Sequence, residues 1–265
     1  MALVGGKNHA HGAGMAKLNK LVETMDVWLR TAEVPDYPGA VNGLQLANDG
    51  EVTRVACAVD ACEPVVAAAV AAGSDLLLVH HGLFWGGAKP LVGGGYRKLK
   101  QAMAGNLAIY SSHLPLDVHP ALGNNIQLAR AIGLIEPHAF FPWKGISLGL
   151  RGTMDIRRDD LVGLLGEVVG GPVHVCAGGP ERVRRVGVIT GGAGGEITSM
   201  AGMGIDTFIT GEGPHWSYTA AEEMGINLLY AGHYATETLG VQALAAQLET
   251  DFALPWTFLH HPSGL

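Results

Sequence analysis

The chain has 265 residues, 48% hydrophobic and 15% charged, a balance that excludes a disordered polypeptide and gives enough material for two packed units. Seventeen basic residues stand against 24 acidic ones, and the net charge of −7 argues against nonspecific nucleic-acid binding, which needs a basic face to replace phosphate counterions. Three cysteines (Cys57, Cys62, Cys176) without a C-x-x-C pair argue against a disulfide frame; with no signal peptide or bilayer-length apolar run, the expectation is a cytoplasmic protein with no membrane partner.

In chain order, residues 1–14 are rich in Gly and His without periodicity and read as a mobile tail, so His9 and His11 are not expected to be ligands. Leu18, Leu21, Val22, Met25, Trp28 and Leu29 have the spacing of an amphipathic helix. A β-branched run from Val52, a short break, a helical stretch closed by Gly73 and a second apolar run ending at His81 form the pattern of a parallel βαβ unit buried on both faces. A third apolar run covers residues 107–110. The Pro-rich, aromatic stretch 136–144 reads as a junction. Beyond it the pattern returns, with a helix over 159–169, a short strand over 173–176, a βαβ unit from Val183 and an apolar run over 228–230. In register, Val52 falls on Val183, Arg54 on Arg185, Gly73 on Gly204, Asp75 on Asp206, Gly82 on Gly213 and Trp85 on Trp216. The expected fold is therefore α/β, built from two similar units by internal duplication, over residues 15–135 and 147–265.

One phrase, Y-x-x-H-x-x-x-[D/E], occurs in both copies, running from Tyr110 through His113 to Asp117 and from Tyr230 through His233 to Glu237. Each follows an apolar run and so sits at the carboxyl end of a strand, where open α/β sheets gather their ligands. His80 and His81 end another strand. Alone, that pair reads as one packed and one solvated histidine; its coincidence with the two phrases points to metal chemistry. His80, His81, Asp117, His233 and Glu237 make a mixed nitrogen and oxygen set that can hold two divalent ions between the units, and such a set suits iron, zinc or manganese alike.

The motifs V-H-H-G-L-F-W at 79–85, S-H-L-P-L-D-V-H-P at 112–120, T-G-E-G-P-H-W at 210–216, A-G-H-Y-A-T-E-T at 231–238, N-G-L-Q at 42–45 and the terminal H-P-S-G-L resemble the NIF-three-like dinuclear-metal family, often labelled GTP cyclohydrolase I type 2. The resemblance runs from about residue 15 to residue 265, and it implies the same five metal ligands. It further implies intertwined α/β units, a toroidal homo-hexamer with metal sites facing an internal cavity, and two divalent ions per chain. The implied activity is hydrolytic, a cyclohydrolase-like ring opening of a small-molecule substrate such as a nucleotide or heterocycle. The alternative is a metal-binding or metal-delivery hexamer without turnover; a regulatory module has no basic arm or partner-binding helix to support it.

The two copies differ where the chemistry lies. Gly211 and Glu212 stand where the first copy has His80 and His81, so Glu212 reads either as an acceptor for a ligand imidazole, as a base, or as a plain carboxylate at a helix start. His113 matches His233 by repeat but is not a ligand in the family, which makes it the candidate for moving protons; His215 is a candidate for substrate contact, and a packed core histidine is the alternative for either. Asn124 and Asn125 are expected to orient the loop of Asp117, and His119 to be structural. Tyr110 and Tyr230 read as core, and Trp85 and Trp216 as either stacking platforms or packing groups. The G-G-A-G-G run at 191–195 lacks a phosphate-loop lysine and signals anion binding only weakly. His260 and His261 read as interface residues.

Overall fold

The structure, a computed structural model, describes residues 14–264, so the expected tail lies, Gly14 apart, outside the described residues. The chain opens with β1 (Ala16–Lys17), α1 (Leu18–Leu29), β2 (Gly43–Leu46) and β3 (Glu51–Val52). A parallel unit follows: β4 (Val55–Asp60), α2 (Glu63–Ala71), β5 (Leu76–His81), α3 (Gly93–Ala104) and β6 (Ala108–Ser111). The one-turn helix α4 (Leu114–Asp117) and α5 (Asn124–Ala131) lead to a hairpin of β7 (Ile135–Trp143) and β8 (Ile146–Arg157). Next come α6 (Arg158–Val169), β9 (His174–Ala177), β10 (Arg182–Val188), a 3-10 helix over Ala193–Met200, β11 (Thr207–Thr210), α7 (Trp216–Met224) and β12 (Asn227–Tyr230). The one-turn helix α8 (His233–Thr236), α9 (Thr238–Phe252) and β13 (Trp256–Phe258) end the chain.

Two larger sheets result, ordered β13-β4-β5-β6-β2 and β7-β8-β10-β11-β12-β9. In the first, β4, β5 and β6 are parallel and β2 returns antiparallel to β6; in the second, β10, β11 and β12 are parallel and β9 returns antiparallel to β12. Four strands of each sheet thus correspond in order and sense, as the repeat predicts. The correspondence reaches single hydrogen bonds. Asp75 caps the backbone N–H groups of Thr53 and Arg54 as its counterpart Asp206 caps those of Arg184 and Arg185. The parallel strands β4, β5, β6, β11 and β12 are mostly apolar and buried along almost their whole length, as strands covered on both faces are.

The boundary expected at residue 147 is not a boundary in space. Helix α9 lays Val241, Leu244, Ala245 and Leu248 into the first core, against α1 and the sheet of β4, β5 and β6, and β13 pairs in parallel with β4. In exchange, α5 and the residues after it bring Leu128, Ala129, Ile132 and Leu134 into the second core beneath β10, β11 and β12. Each unit is completed by a helix of the other. Residues 136–144 are not a junction but most of edge strand β7, where Pro137 and Pro142 interrupt no central ladder. The counterpart of α2 is the 3-10 helix, which opens on the glycine-rich 191–195 run; glycine disfavours the α-helix by about 1 kcal/mol per residue relative to alanine.

Candidate metal centre

The duplicated fold brings the carboxyl ends of β5 and β6 to face those of β11 and β12, and the five predicted ligands meet there. His80 and His81 close β5, and Asp117 ends the turn of α4. His233 opens α8, and Glu237 follows at its carboxyl end, so the two share one helical face and His233 Nε2 lies 3.2 Å from Glu237 Oε1. His80 Nε2 lies 3.4 Å from Glu237 Oε1 and 3.5 Å from Asp117 Oδ2, while His81 Nε2 lies 3.5 Å from Glu237 Oε2. One donor atom from each of His81, His233 and Glu237 falls within 4.8 Å of the others, and the same holds for His80, His81 and His113.

Every imidazole in the cluster is aimed by its Nδ1. His80 is held at 2.9 Å by the carbonyl of Ser112, His81 at 2.9 Å by Asp60, His113 at 2.8 Å by Asp36, and His233 at 2.7 Å by Glu212. An acceptor at Nδ1 fixes the tautomer that leaves Nε2 free as a lone pair, the arrangement that orients metal-ligating histidines. Asp117 is held through its Oδ1 by Asn124 Nδ2 at 2.8 Å, and Asn125 Nδ2 donates to its backbone carbonyl at 3.0 Å, as the sequence led one to expect.

Charge and burial conflict in this cluster. His80 is fully buried and Glu237 nearly so, yet His80 Nε2 and Glu237 Oε2 have no hydrogen-bond partner among the described residues. Burial, the largest influence on Glu237, would raise its pKa; the facing imidazoles, His80 first, outweigh it and hold the carboxyl well below its usual range. Burial likewise pulls His80 down, and Asp117 and Glu237 together push it well above its ordinary value. At His233 the same opposition, with Glu237 and then Glu212 against burial, ends with the imidazole pushed up to about 9. Unpartnered buried donor atoms among convergent imidazoles and carboxylates fit a divalent cation, which would satisfy both.

Glycines make room for this convergence. A Cβ at Gly191, whose φ is +71°, would sit 2.3 Å from Glu237 Oε1, so the 191–195 run is a close-approach segment beside the ligands rather than an anion loop. The N-G-L-Q motif is also explained. Asn42 donates to Asp36 and accepts the backbone N–H of His113, and Gln45 Oε1 accepts the N–H of Leu83 at 2.6 Å, fixing the turn after His81.

Of the three residues read as catalytic, His113 lies in the site with its free Nε2 facing the ligands. Glu212 is a positioning group for His233. His215 is exposed at the start of α7, past the Gly213–Pro214 turn, and is not among the residues that line the cavity above the ligands. Trp216 is exposed there too. Trp85 lines the cavity and meets His113 and His81 edge-on, at 4.7 and 5.6 Å between centroids. His119 is structural, its Nδ1 accepting the N–H groups of Ala121 and Leu122, and Tyr110 is core, its hydroxyl donating to Asp26. Sequence reasoning missed Asp36, Asp60, Tyr37 and Trp143. Asp60 had a signal, a carboxylate ending an apolar strand in register with His81, but its repeat counterpart is Gly191 and the duplication did not mark it.

The cavity above the ligands has a volume of about 580 Å³. Chains with this architecture are known. A protein of Deinococcus radiodurans named GTP cyclohydrolase 1 type 2 homolog is 39% identical over 256 residues, covering 96% of this chain and 97% of the relative. A protein of Pseudomonas aeruginosa with the same name is 38% identical over 93% of this chain and 98% of its own. The crystal structure of TTHA1606 from Thermus thermophilus superposes with a TM-score of 0.87 at 39% identity, over 94% of this chain and 100% of that one. A solved structure described as protein ybgI, unknown function, gives 0.88 at 35% identity, over 94% and 100% of the two chains. Residues 16–263 match the family model described as Duf34/NIF3 (NGG1p interacting factor 3), and with the relatives' near-full coverage this places the chain in the Duf34/NIF3 family.

Proposed function

We propose that the chain is a dinuclear metal-dependent hydrolase, its two divalent ions held by His80, His81, Asp117, His233 and Glu237, acting on a nucleotide or related heterocycle by a cyclohydrolase-like ring opening. The observation that carries this reading is the pair of buried, unpartnered donor atoms, His80 Nε2 and Glu237 Oε2, at the floor of a cavity large enough for a small molecule. The relatives' shared name, GTP cyclohydrolase 1 type 2 homolog, supports the substrate class. A homo-oligomer, a toroidal hexamer by the family resemblance, belongs to the same proposal.

A divalent pair bound there supplies Lewis acidity and brings the ionisation of water near neutral pH. The protein supplies the rest. Asp60, Glu212 and the Ser112 carbonyl keep the ligand imidazoles in the tautomer that presents Nε2. Asp36 does the same for His113, whose Nε2 then takes a proton from an attacking group and returns it to the departing ring nitrogen. Leu148 and Ile189 give the cavity an apolar wall.

The test is turnover of a nucleotide and heterocycle panel by protein loaded with iron, zinc or manganese, with and without chelator. Turnover abolished by chelation and restored by metal supports the hydrolase. Tight, exchangeable metal with no turnover by any loaded form replaces it with a metal carrier.

A further inference from the structure

Above the ligands the cavity changes character. Its mouth is an aromatic wall assembled from three separate segments. Trp85 follows β5, Tyr37 lies on the loop between α1 and β2, and Trp143 ends β7. Tyr37 joins the other two, with ring centroids 5.2 Å from Trp143 and 6.5 Å from Trp85. Trp143 is fixed by its turn. It pairs with Ile146 across a two-residue loop, Lys144 and Gly145, whose φ values of 45° and 87° are those of the tight hairpin turns that match strand twist. Lys144 Nζ then caps its ring at 4.3 Å from the centroid.

Within the chain the wall is left partly open to the cavity. Tyr37 is 47% exposed and Trp85 37% exposed, beside a cavity rather than under one. Glu196, on the 3-10 helix, lines the same cavity, and its carboxylate makes no hydrogen bond or ion pair among the described residues. Its charge falls on the Tyr37 phenol, whose pKa is raised by burial first and by Glu196 next. An ionised carboxylate only accepts hydrogen bonds, so what it can recognise in a planar ligand is an edge of N–H donors.

We propose that the mouth of the cavity is a recognition subsite for a planar nitrogen heterocycle, stacked on the wall of Trp85, Tyr37 and Trp143 and read at its N–H edge by Glu196. This deepens the hydrolase reading by naming what holds the ring, and it rests on that reading only for the ring's later fate. Binding by the wall needs no metal. Of the groups that recognise the ring, Trp85 meets the ligand His81 edge-on, whereas Trp143 and Glu196 make no ring contact, hydrogen bond or ion pair with the ligand set among the described residues.

Calorimetric titration of the chelator-treated full chain with guanosine, which offers ring N–H and amino donors, and with caffeine, a planar purine without any N–H, separates the parts of the proposal. Both should bind. Trp143→Ala should weaken both by roughly ten-fold or more, since stacking on one aromatic ring carries an effect of that order, and Trp143→Phe should restore most of it. Glu196→Gln should weaken guanosine roughly five-fold or more, the scale of a hydrogen bond to a charged group at a partly open site, and leave caffeine within about two-fold. Thermal midpoints within a few degrees of the parent would show that the variants fold.

Failure of either ligand to bind, equal affinities in Trp143→Ala and the parent, or equal effects of Glu196→Gln on guanosine and caffeine would overturn the subsite. These outcomes are independent of turnover. A protein that binds guanosine through Trp143 but hydrolyses nothing keeps the subsite and loses the hydrolase. One with chelator-sensitive turnover and no dependence on Trp143 does the reverse.

Discussion

The acceptor behind each imidazole organises the chemistry of the site. His80, His81, His113 and His233 take their Nδ1 partners from a carbonyl and three carboxylates, which come from four different stretches of chain. Without metal, His233 is pushed up to about 9 by Glu237 and Glu212 and so carries the extra proton at pH 7, and Asp117 and Glu237 push His80 in the same direction. In the metal-free chain the raised His233 pKa therefore adds stability that is complete below its ordinary value of 6.5 and is lost as pH rises through about 9. A cation bound by His233 must displace that proton. Metal binding at pH 7 should release protons, and apparent affinity should climb as pH rises toward 9. Calorimetry in buffers of different ionisation enthalpy measures this directly, and heat independent of the buffer would contradict it. His113 is distinguished by a second variant. Replacing it with Asn should leave metal content unchanged and lower turnover by roughly two to four orders of magnitude, the scale of a lost general acid or base. Loss of metal instead would make it a sixth ligand, a place its position beside His80 and His81 also allows.

Among the elements, the sequence was most legible where burial forces a period. The runs of β4, β5, β10 and β11 and the stripes of α1 and α6 could be read because a strand buried on both faces and a helix buried on one leave no other pattern. The duplicated Tyr-His-acid phrase then located the ligands at the ends of β6 and β12. Strand β7 escaped because its two prolines read as breakers, and a proline on an edge strand costs no central hydrogen bond. The exchange of α5 and α9 was implied only by the family resemblance, as intertwined units, and could not be read from the residue pattern itself. The apolar stripe of α9 shows that one face is buried, but it carries no information about which sheet buries it. That exchange has an energetic consequence. Leu248 comes from the second copy and is fully buried in the first core, so Leu248→Ala should destabilise the chain by about 2–5 kcal/mol. Denaturant unfolding checks it; a loss below about 1 kcal/mol would show that α9 is not needed to complete that core.

At the scale of the molecule, the exchange and the site belong together. Asp117 ends the turn of α4 that leads into α5, and Glu237 immediately precedes α9, so each crossing helix follows a segment that carries one of the carboxylates. The Gly240 N–H donates to Asn124 Oδ1 at 2.6 Å, and the same Asn124 holds Asp117, so the two crossing helices are tied to each other at the ligands. A duplicated fold in which each half finishes the other's core thereby draws two half-sites into one. That was legible as a repeat of residues and not as a repeat of contacts, because the acceptors Asp36, Asp60 and Glu212 have no counterparts of the same kind in the other copy. The central claim is that this shared site holds metal through Glu237, whose two oxygens face His80, His81 and His233. Elemental analysis of protein purified without chelator, beside Glu237→Gln, tests it most directly. About two divalent ions per chain are expected in the parent, the number a two-metal hydrolytic site uses, and at least one should be lost or weakened in the variant; a metal-free parent, or full occupancy in Glu237→Gln, would contradict it.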